Sequence, residues 1–368
     1  MADDTQPPGP QESAPPPFQY IHSGSFPALL EQLGISLAVT TYQAGKLMLV
    51  RSDGGKLSTL LRSFEQPMGL AVDLKLGRMV VGTRRMVWTL RSAPEIAPQL
   101  DPPGRHDACF VPRSAHVTGD IRSHEIALLG GKPWIVNTLL SCLCTLDDED
   151  YGFVPRWRPP FVDRLVAEDR CHLNGLAVQD GRIRFVTAMG ETNERDKWKA
   201  DKVGGGIVIE VESGQTIVRG LSMPHSPRCY RKRVFVLDSG RGHLSAVDVA
   251  SGKVDAVAAL PGYARGLAFH GRFAFVGLSK IRESNIFGGL PIAERYDESQ
   301  RKCGVYAVDL ESGQVAGFLV FEAGCTEIFD IQVLPGLRWP TIVGFQDKTL
   351  DGILIAPPAV WQPGAVLR

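Results

Sequence analysis

Short alternating hydrophobic and polar strands recur along the chain, and four hairpins share one pattern. Each consists of an alternating strand, a turn that ends in glycine, and a second alternating strand. The four hairpins begin at Val50, Ile209, Val247 and Val308. Glycine supplies the positive φ angle that such turns require, so the pattern predicts antiparallel β-hairpins. Long helical periodicity is hard to find in the chain, which argues against an α/β fold.

A second recurring segment, similar to Gly-Leu-Ala, precedes the hairpins. Its first position falls at Gly69, Glu125, Gly175, Ser226, Gly266 and Asp330. Combined with the hairpins, this segment gives repeats of about 40–64 residues, the size of a propeller blade. The sequence therefore predicts an all-β protein, a β-propeller of four-stranded blades in which the Gly-Leu-Ala segments are the inner strands.

The two ends of the chain decide the number of blades. Residues 37–62 supply the three outer strands of a further blade, whose inner strand comes from residues 26–31 or from elsewhere in the chain. We expect seven blades; six blades with an irregular closure is the alternative. A ring must close to remove its sheet edges, so segments 18–64 and 327–356 are expected to be adjacent. Residues 18–368 then form a single domain, and residues 1–17 a disordered, proline-rich tail.

Composition narrows the functional classes. Lys and Arg together number 40, as do Asp and Glu, so no general attraction to nucleic acid or to a membrane is expected. No apolar run reaches the roughly 18 residues of a membrane helix. The first residues lack the apolar segment of a signal peptide, which predicts a cytoplasmic protein. Seven cysteines without a Cys-x-x-Cys pair indicate neither a disulfide scaffold nor a structural zinc site.

Polar side chains recur at the start of the predicted inner strands. His124, Asn174, His225 and Arg265 occupy equivalent positions, and His172 lies two residues before Asn174. Equivalent strands of a radial repeat converge near the axis, so these side chains are expected to share one cavity at an axial mouth. The alternative is that each histidine caps its own strand or bonds to a neighbouring loop.

The residue types in this set suit a metal and an anion. Three imidazoles and Asn174 are candidate ligands for a divalent metal, and they suit zinc or iron better than calcium. Arg265 is the candidate anion receptor, since a guanidinium group binds carboxylate or phosphate with two donors.

Carboxylates complete the predicted site. Asp238 ends an apolar strand, and Glu327 lies near the start of the last inner strand. Together with Arg265 they are the candidate catalytic residues, and Glu327 or Asp330 is a candidate general base or metal ligand. The alternatives are a solvated turn for Asp238 and salt bridges to Arg265 or Arg228 for the other two.

Several longer segments resemble a bacterial family of conserved hypothetical proteins. The resemblance extends over about residues 24–350 and is carried by Val39–Leu47, Arg156–Phe161, Glu168–Gly175, Met223–Arg228 and Val276–Lys280. It implies an uncharacterised, propeller-like protein of a group sometimes joined to tetratricopeptide repeats. A more distant resemblance links Asn174-Gly175 and Asp238 to metal ligands of gluconolactonase and regucalcin-like propellers. The N-terminal Glu and second Asn of that pattern have no counterpart in this chain.

Two functions are compatible with these features. The first is an enzyme that uses the axial mouth, with a bound metal, to act on a small anionic molecule. The second is a non-catalytic propeller that binds a small ligand at its mouth or a protein partner on its rim.

Overall fold

Six antiparallel sheets arranged in a ring make up the fold. The computed structural model describes residues 17–280, 288–345 and 348–355, which contain 26 strands. The predicted tail lies outside these residues, apart from residue 17. In this part of the chain the inner strands contact one another in the order β25, β5, β9, β13, β17, β21 and back to β25. We number the blades from 1 to 6 in this order.

The first three blades each place four strands in order from the axis outward. Blade 1 contains β25 (Asp330–Pro335), β2 (Ile35–Thr41), β3 (Lys46–Asp53) and β4 (Lys56–Ser63). Blade 2 contains β5 (Leu70–Asp73), β6 (Arg78–Gly82), β7 (Met86–Ser92) and β8 (Ala108–Val117), with β26 (Pro340–Ile342) added in parallel to β8. Blade 3 contains β9 (Ser123–Leu129), β10 (Lys132–Asn137), β11 (Cys142–Leu146) and β12 (Phe153–Trp157).

The remaining blades follow the same order. Blade 4 contains β13 (Leu173–Gln179), β14 (Arg182–Ala188), β15 (Gly206–Glu210) and β16 (Thr216–Leu221). Blade 5 contains β17 (His225–Tyr230), β18 (Arg233–Asp238), β19 (His243–Val247) and β20 (Val254–Ala259). Blade 6 contains β21 (Tyr263–His270), β22 (Phe273–Ser279), β23 (Gly304–Asp309) and β24 (Val315–Ala323), with β1 (Gln19–His22) as an outer fifth strand.

Helices are few and short in the described part of the chain. They are α1 (Ser25–Leu33), α2 (Ile292–Arg295) and four 3-10 segments, Ala97–Gln99, Lys197–Ala200, Ser239–Arg241 and Lys348–Gly352. None of these helices is long and apolar enough to cross a membrane. All seven cysteines are free thiols.

The prediction of an all-β propeller is confirmed, but the ring has six blades, so the expected seven is wrong and the alternative of six is right. The outer strands at residues 37–62 do not form a blade of their own. They share blade 1 with the last inner strand, because β2 pairs with β25 from Ile35 opposite Pro335 to Thr40 opposite Asp330. The N-terminal outer strands and the C-terminal inner strand thus make one blade instead of two.

The segment weighed as an inner strand, residues 26–31, is part of helix α1. Phe26, Leu29 and Leu30 are buried on one side of this helix, at the spacing of an amphipathic helix. They pack into the core between blades 6 and 1, where Phe321 and Ile331 also lie. The helix therefore covers the joint of the ring rather than forming a strand in it.

Glycines alternate with larger residues around the axis. Gly69, Gly175 and Gly266 lie in blades 2, 4 and 6, and Glu125, Ser226 and Asp330 hold the equivalent positions in blades 3, 5 and 1. A Cβ atom on Gly69 would lie 2.9 Å from the Glu125 Cα, and one on Gly266 would lie 2.9 Å from the Asp330 Cα. Real Cβ atoms do not approach backbone this closely, so neighbouring inner strands require glycine at these crossings.

The larger residues of this alternation bond to the next blade along the ring. The Leu70 N–H donates to Asp330 Oδ2 at 2.9 Å, the Leu176 N–H to Glu125 Oε2 at 3.0 Å, and the Gly266 N–H to Ser226 Oγ at 3.1 Å. The same interaction therefore occurs three times, once for each pair of blades, and the axis has an approximate threefold pattern.

Arg228 of blade 5 joins two of these residues into a buried charged group, which we call the axial cluster (Glu125, Arg228 and Asp330). Its guanidinium group forms salt bridges with Glu125 and, at 3.6 Å, with Asp330. It also donates to the carbonyl groups of Leu267 at 2.9 Å and Leu176 at 3.3 Å. Burial raises the pKa of Glu125 to about 7 and that of Asp330 to about 6, and Arg228 opposes both shifts.

Candidate ligand site at the axial mouth

A cavity of about 290 Å³ lies at the end of the axis where the inner strands begin. All six blades contribute to it, mostly with residues at or just before the start of the inner strand. We call it the axial cavity. Its lining consists of Tyr42, Gln66, Met68, Arg84, Asp120, Arg122, His124, His172, Met189, Trp198, Met223, His225, Tyr263, Arg265, Glu327 and Phe329.

The structure brings the three predicted histidines together in this cavity. The ring centroids of His124 and His172 are 4.9 Å apart, and those of His124 and His225 are 6.4 Å apart. These distances are short enough for one small molecule to touch all three rings. Blades 3, 4 and 5 each supply one of them, as the repeat in the sequence indicates.

Each of the three histidines is fixed by a hydrogen bond from its Nδ1 atom. The acceptors are the Arg122 carbonyl at 3.2 Å for His124, the Asp169 carboxylate at 2.8 Å for His172 and the Met223 carbonyl at 3.0 Å for His225. The Thr138 hydroxyl, which donates its own proton to the Leu173 carbonyl, lies 2.9 Å from His124 Nδ1, and the Ser239 hydroxyl lies 3.1 Å from His225 Nδ1. Carbonyl and carboxylate oxygens only accept, so Nδ1 carries the proton in each case. The Nε2 atoms then present lone pairs, and none has a hydrogen-bond partner among the described residues.

The environment keeps two of these imidazoles uncharged. Burial lowers the pKa of His124 and of His225 well below the ordinary value, and the positive charge of Arg265 lowers both further. Both rings are therefore neutral at pH 7. A neutral imidazole with a free Nε2 atom can accept a proton, accept a hydrogen bond or bind a metal ion.

Arg265 lies over the ring of Phe329, with its Cζ atom 3.4 Å from the centre of the ring. Its Nη1 group donates to Glu327 Oε1 at 2.9 Å, which is the salt bridge that the sequence offered as an alternative. Its Nε group is buried without a partner, and its Nη2 group has none among the described residues. Burial raises the pKa of Glu327, and Arg265 counteracts that rise. Arg265 thus retains donor groups that its own salt bridge does not use.

Two predicted site residues do not reach the cavity, and Asn174 is the first. It donates to the Pro224 carbonyl at 2.9 Å and accepts from the Thr187 hydroxyl at 2.8 Å, so it links blade 4 to blade 5. It lies at a bulge in β13, where the strand register shifts, while His172 before it enters the cavity with a positive φ angle. The candidate metal ligand Asn174 is therefore a structural link between blades.

Asp238 is the other predicted residue outside the cavity. It is buried at the end of β18, where it accepts from the Ser222 N–H at 2.7 Å and from Arg241 at 2.8 Å. Its two oxygens are therefore occupied by neighbouring turn segments. This agrees with the alternative of a turn residue, except that the side chain is buried rather than solvated.

Aromatic residues of the cavity were missed at the level of sequence. Trp198 lies in the 3-10 segment between β14 and β15, and its ring is 4.4 Å from that of His172. Tyr263 lies two residues before Arg265 on the same strand, so the alternation of a strand was a signal for it. Trp198 lies in a connection outside the repeat, where no such signal exists.

The three imidazole rings are not arranged as a metal site. Among residues 17–280, 288–345 and 348–355, no three His, Cys, Asp or Glu side chains form a group that could hold a metal ion as they stand. The rings of His124 and His225 are nearly parallel, with 21° between their planes.

Fold and site together define the class of this protein: a six-bladed β-propeller with a histidine-lined cavity at one axial mouth. The chain belongs to the family of the DUF4915 domain, a domain of unknown function, whose family model matches residues 24–343. The resemblance to an uncharacterised propeller family is thereby confirmed. Its association with tetratricopeptide repeats stays an expectation.

Solved structures at low sequence identity share the fold. One is a chain from a crystal structure of a nidogen/laminin complex, with a TM-score of 0.52, 10% identity, and coverage of 82% of this chain and 99% of that one. Another is a protein of unknown function from Bacteroides caccae, with a TM-score of 0.51, 10% identity, and coverage of 82% and 98%. No curated protein matches the chain. The resemblance to gluconolactonases also stays an expectation, and Asn174 and Asp238, which carried it, lie outside the axial cavity.

Proposed function

We propose that the axial cavity binds a small anionic molecule, a carboxylate that also carries a hydroxyl or amino group. The observation that supports this most directly is the pairing of unused donors with unused acceptors. Arg265 has N–H groups without partners in the described chain, and these suit a carboxylate. The three histidine Nε2 atoms are acceptors, and they suit an O–H or N–H group beside that carboxylate.

The size and lining of the cavity support a compact ligand with a flat apolar part. A volume of about 290 Å³ lies at the lower end of the range for small-molecule sites. Trp198, Tyr263 and Phe329 offer aromatic surface around the polar groups. Aromatic hydroxy acids and aromatic amino acids combine these properties, so we propose them as the class of ligand.

The test is a thermal-shift and calorimetric comparison of mandelate, phenyllactate and phenylalanine with 3-phenylpropanol, which lacks the carboxylate. We expect at least one of the three acids to bind and the alcohol to bind at least tenfold more weakly. Arg265→Gln should weaken the acid at least tenfold, because it removes the charged donors. Arg272→Gln, on the surface of blade 6, is the control and should leave binding unchanged. Failure of all three acids, or equal binding by Arg265→Gln, would contradict the proposal.

A second candidate, a metal-dependent enzyme, is favoured by the fixed Nδ1 atoms. A histidine that binds zinc or iron through one ring nitrogen usually donates a hydrogen bond from the other N–H to a carbonyl or carboxylate oxygen. The Nδ1–H groups of His124, His172 and His225 make such hydrogen bonds here. Asp169 is the carboxylate partner of His172, and the salt bridge with Arg122 holds it in place. In such an enzyme Glu327 would be the proton acceptor and Arg265 the group that orients an anionic substrate.

Metal content separates the second candidate from the first. Protein purified without a metal-binding tag should contain close to one zinc or iron per chain if the candidate is right. His172→Ala should lower that content at least tenfold, since a shell of three or four ligands tolerates few losses. His270→Ala, at the opposite end of β21, is the control. Wild-type protein that neither contains nor takes up zinc or iron would exclude this candidate and leave simple binding.

A further inference from the structure

A groove of about 790 Å³ between blades 2 and 3 concentrates positive charge away from the axial cavity. We call it the basic groove. Its cationic residues come from five different strands, β6, β7, β8, β10 and β12, and are Arg78, Arg91, Arg113, Lys132 and Arg156. The chain as a whole carries equal numbers of acidic and basic residues. The groove therefore has an excess of positive charge that the chain as a whole does not have.

Carboxylates do not neutralise these five side chains. Within the described residues none of the five forms a salt bridge, whereas arginines elsewhere on the surface commonly do, such as Arg182 with Glu212 and Arg272 with Asp309. Three of the five donate to neutral groups: Arg78 to the Gly131 carbonyl at 2.6 Å, Arg156 to the Thr145 hydroxyl at 2.9 Å and Arg113 to the Pro112 carbonyl at 3.3 Å. Their positive charges stay available to a ligand.

Four acidic residues, at positions 147–150, follow β11 beside the groove, and Asp148 is the one of them that lines it. Asp148 bonds to the Nε2 atom of His116 at 2.8 Å. Asp147 lies close enough for Arg156 to help lower its pKa, although a backbone hydrogen bond from Tyr151 is the main cause. Within the described residues none of these four carboxylates forms a salt bridge with the five cations, and Asp148 pairs with His116 instead.

The pairing of β6 with β7 places two of these positive charges next to each other. Arg78 on β6 lies directly opposite Arg91 on β7 in the register of blade 2. Like charges at directly opposed positions of an antiparallel pair repel each other and destabilise the sheet. A carboxylate at either position would remove the repulsion, and an anion in the groove would have the same effect.

We propose that the basic groove binds a ligand with several clustered phosphate groups. Five cations around one groove match a ligand with several negative charges rather than a single carboxylate. The hydroxyl groups of Thr89, Ser114 and Thr145 also line it and can donate to phosphate oxygens. Trp134 adds an aromatic face on which a nucleotide base can stack. This site is separate from the axial cavity and does not depend on what the cavity binds.

The experiment measures the binding of inorganic tripolyphosphate and of ATP to the full chain by calorimetry at about 0.15 M salt. Wild-type protein should bind both with one saturable site. Arg91→Gln combined with Arg113→Gln should raise Kd at least tenfold for both, because two charged contacts are lost. The control, Arg182→Gln combined with Arg272→Gln, removes the same charge from blades 4 and 6 and should leave Kd within about twofold.

The two probes distinguish the source of the phosphates. If ATP binds more tightly and Trp134→Ala removes only that difference, the ligand is a nucleotide; equal affinities assign the site to clustered phosphate alone. The proposal is overturned if neither probe binds, if sodium sulfate at equal ionic strength competes as well as tripolyphosphate, or if the control pair weakens binding as much as the groove pair. A cooperative thermal transition in each variant would establish that it is folded.

Discussion

Removal of residues 330–368 is expected to give a chain that accumulates as insoluble protein. The deletion takes away β25, which is the inner strand of blade 1 and pairs with β2 along its whole length. Ile331 and Leu334, buried in the cores on either side of blade 1, are lost with it. The edge of β2 would be exposed, and an unpaired strand edge promotes aggregation.

The control for this deletion removes residues 1–22. That truncation takes away β1, the outer fifth strand of blade 6, and leaves β21 to β24 in place. It exposes the outer edge of β24, and blades 1, 3, 4 and 5 already have an unpaired outer edge in the described structure, whereas loss of β25 exposes an edge at the axis. We expect this protein to be soluble, with a lower melting temperature because Tyr20 no longer packs on Phe321. The soluble fraction after expression and the circular dichroism of that fraction are the measurements. A soluble chain without residues 330–368 that melts cooperatively would contradict the closure of the ring by β25.

Arg228→Met is expected to cause the largest loss of stability among single substitutions at the axis. Methionine keeps much of the length of the side chain but removes the charge that faces Glu125 and Asp330. Leaving buried carboxylates without their partner costs about 3–5 kcal/mol. For a domain of this size that loss lowers the melting temperature by roughly 4–7 °C.

The loss should depend on pH with a definite sign. Glu125 and Asp330 have raised pKa values in the folded protein, about 7 and about 6, and ordinary values near 4 when unfolded. The folded state therefore binds more protons over this range, and their contribution to stability falls as the pH rises from about 4 to 7. Without Arg228 the fall is steeper, so the deficit of Arg228→Met should be larger at about pH 8 than at about pH 5.

A second substitution provides the control. Glu125→Gln in the Arg228→Met background removes one of the two buried charges and should recover part of the lost melting temperature. The amide of the new side chain keeps an oxygen for the Leu176 N–H, so the link between blades 3 and 4 is retained. The melting temperatures of the wild type, the two single variants and the double variant, measured at both pH values, form a double-mutant cycle. Additive losses, or a deficit that does not change with pH, would count against a charge-balanced axial cluster.

Local features of the sequence were sufficient for the class of fold. The hairpin glycines and the Gly-Leu-Ala segments identified the strands, because turns need positive φ angles and neighbouring inner strands leave no room for a Cβ atom at Gly69 or Gly266. The number of blades could not be obtained in the same way. It depends on β2 pairing with β25, two segments at opposite ends of the chain, and no local pattern specifies that partner.

The repeat predicted the shared cavity but not every residue that lines it. His124, His225 and Arg265 were found because each lies at the start of an inner strand, and these starts converge at one mouth. Asn174 was misplaced because a bulge in β13 shifts the register at that residue. Glu125 was not among the candidate residues; it follows His124 on β9 and therefore faces the other way, where it pairs with Arg228.

The axial cluster lies between two cavities of the propeller. Asp330 directly follows Phe329 of the axial cavity, whereas Glu125 and Arg228 line a second cavity of about 640 Å³ toward the other mouth. The charged residues thus stand as a partition between the two ends of the propeller. The axial cavity is therefore closed at its inner end, so a molecule that enters it must leave by the same opening. If the cavity holds an enzyme site, the next substrate cannot enter until the product has left by that opening.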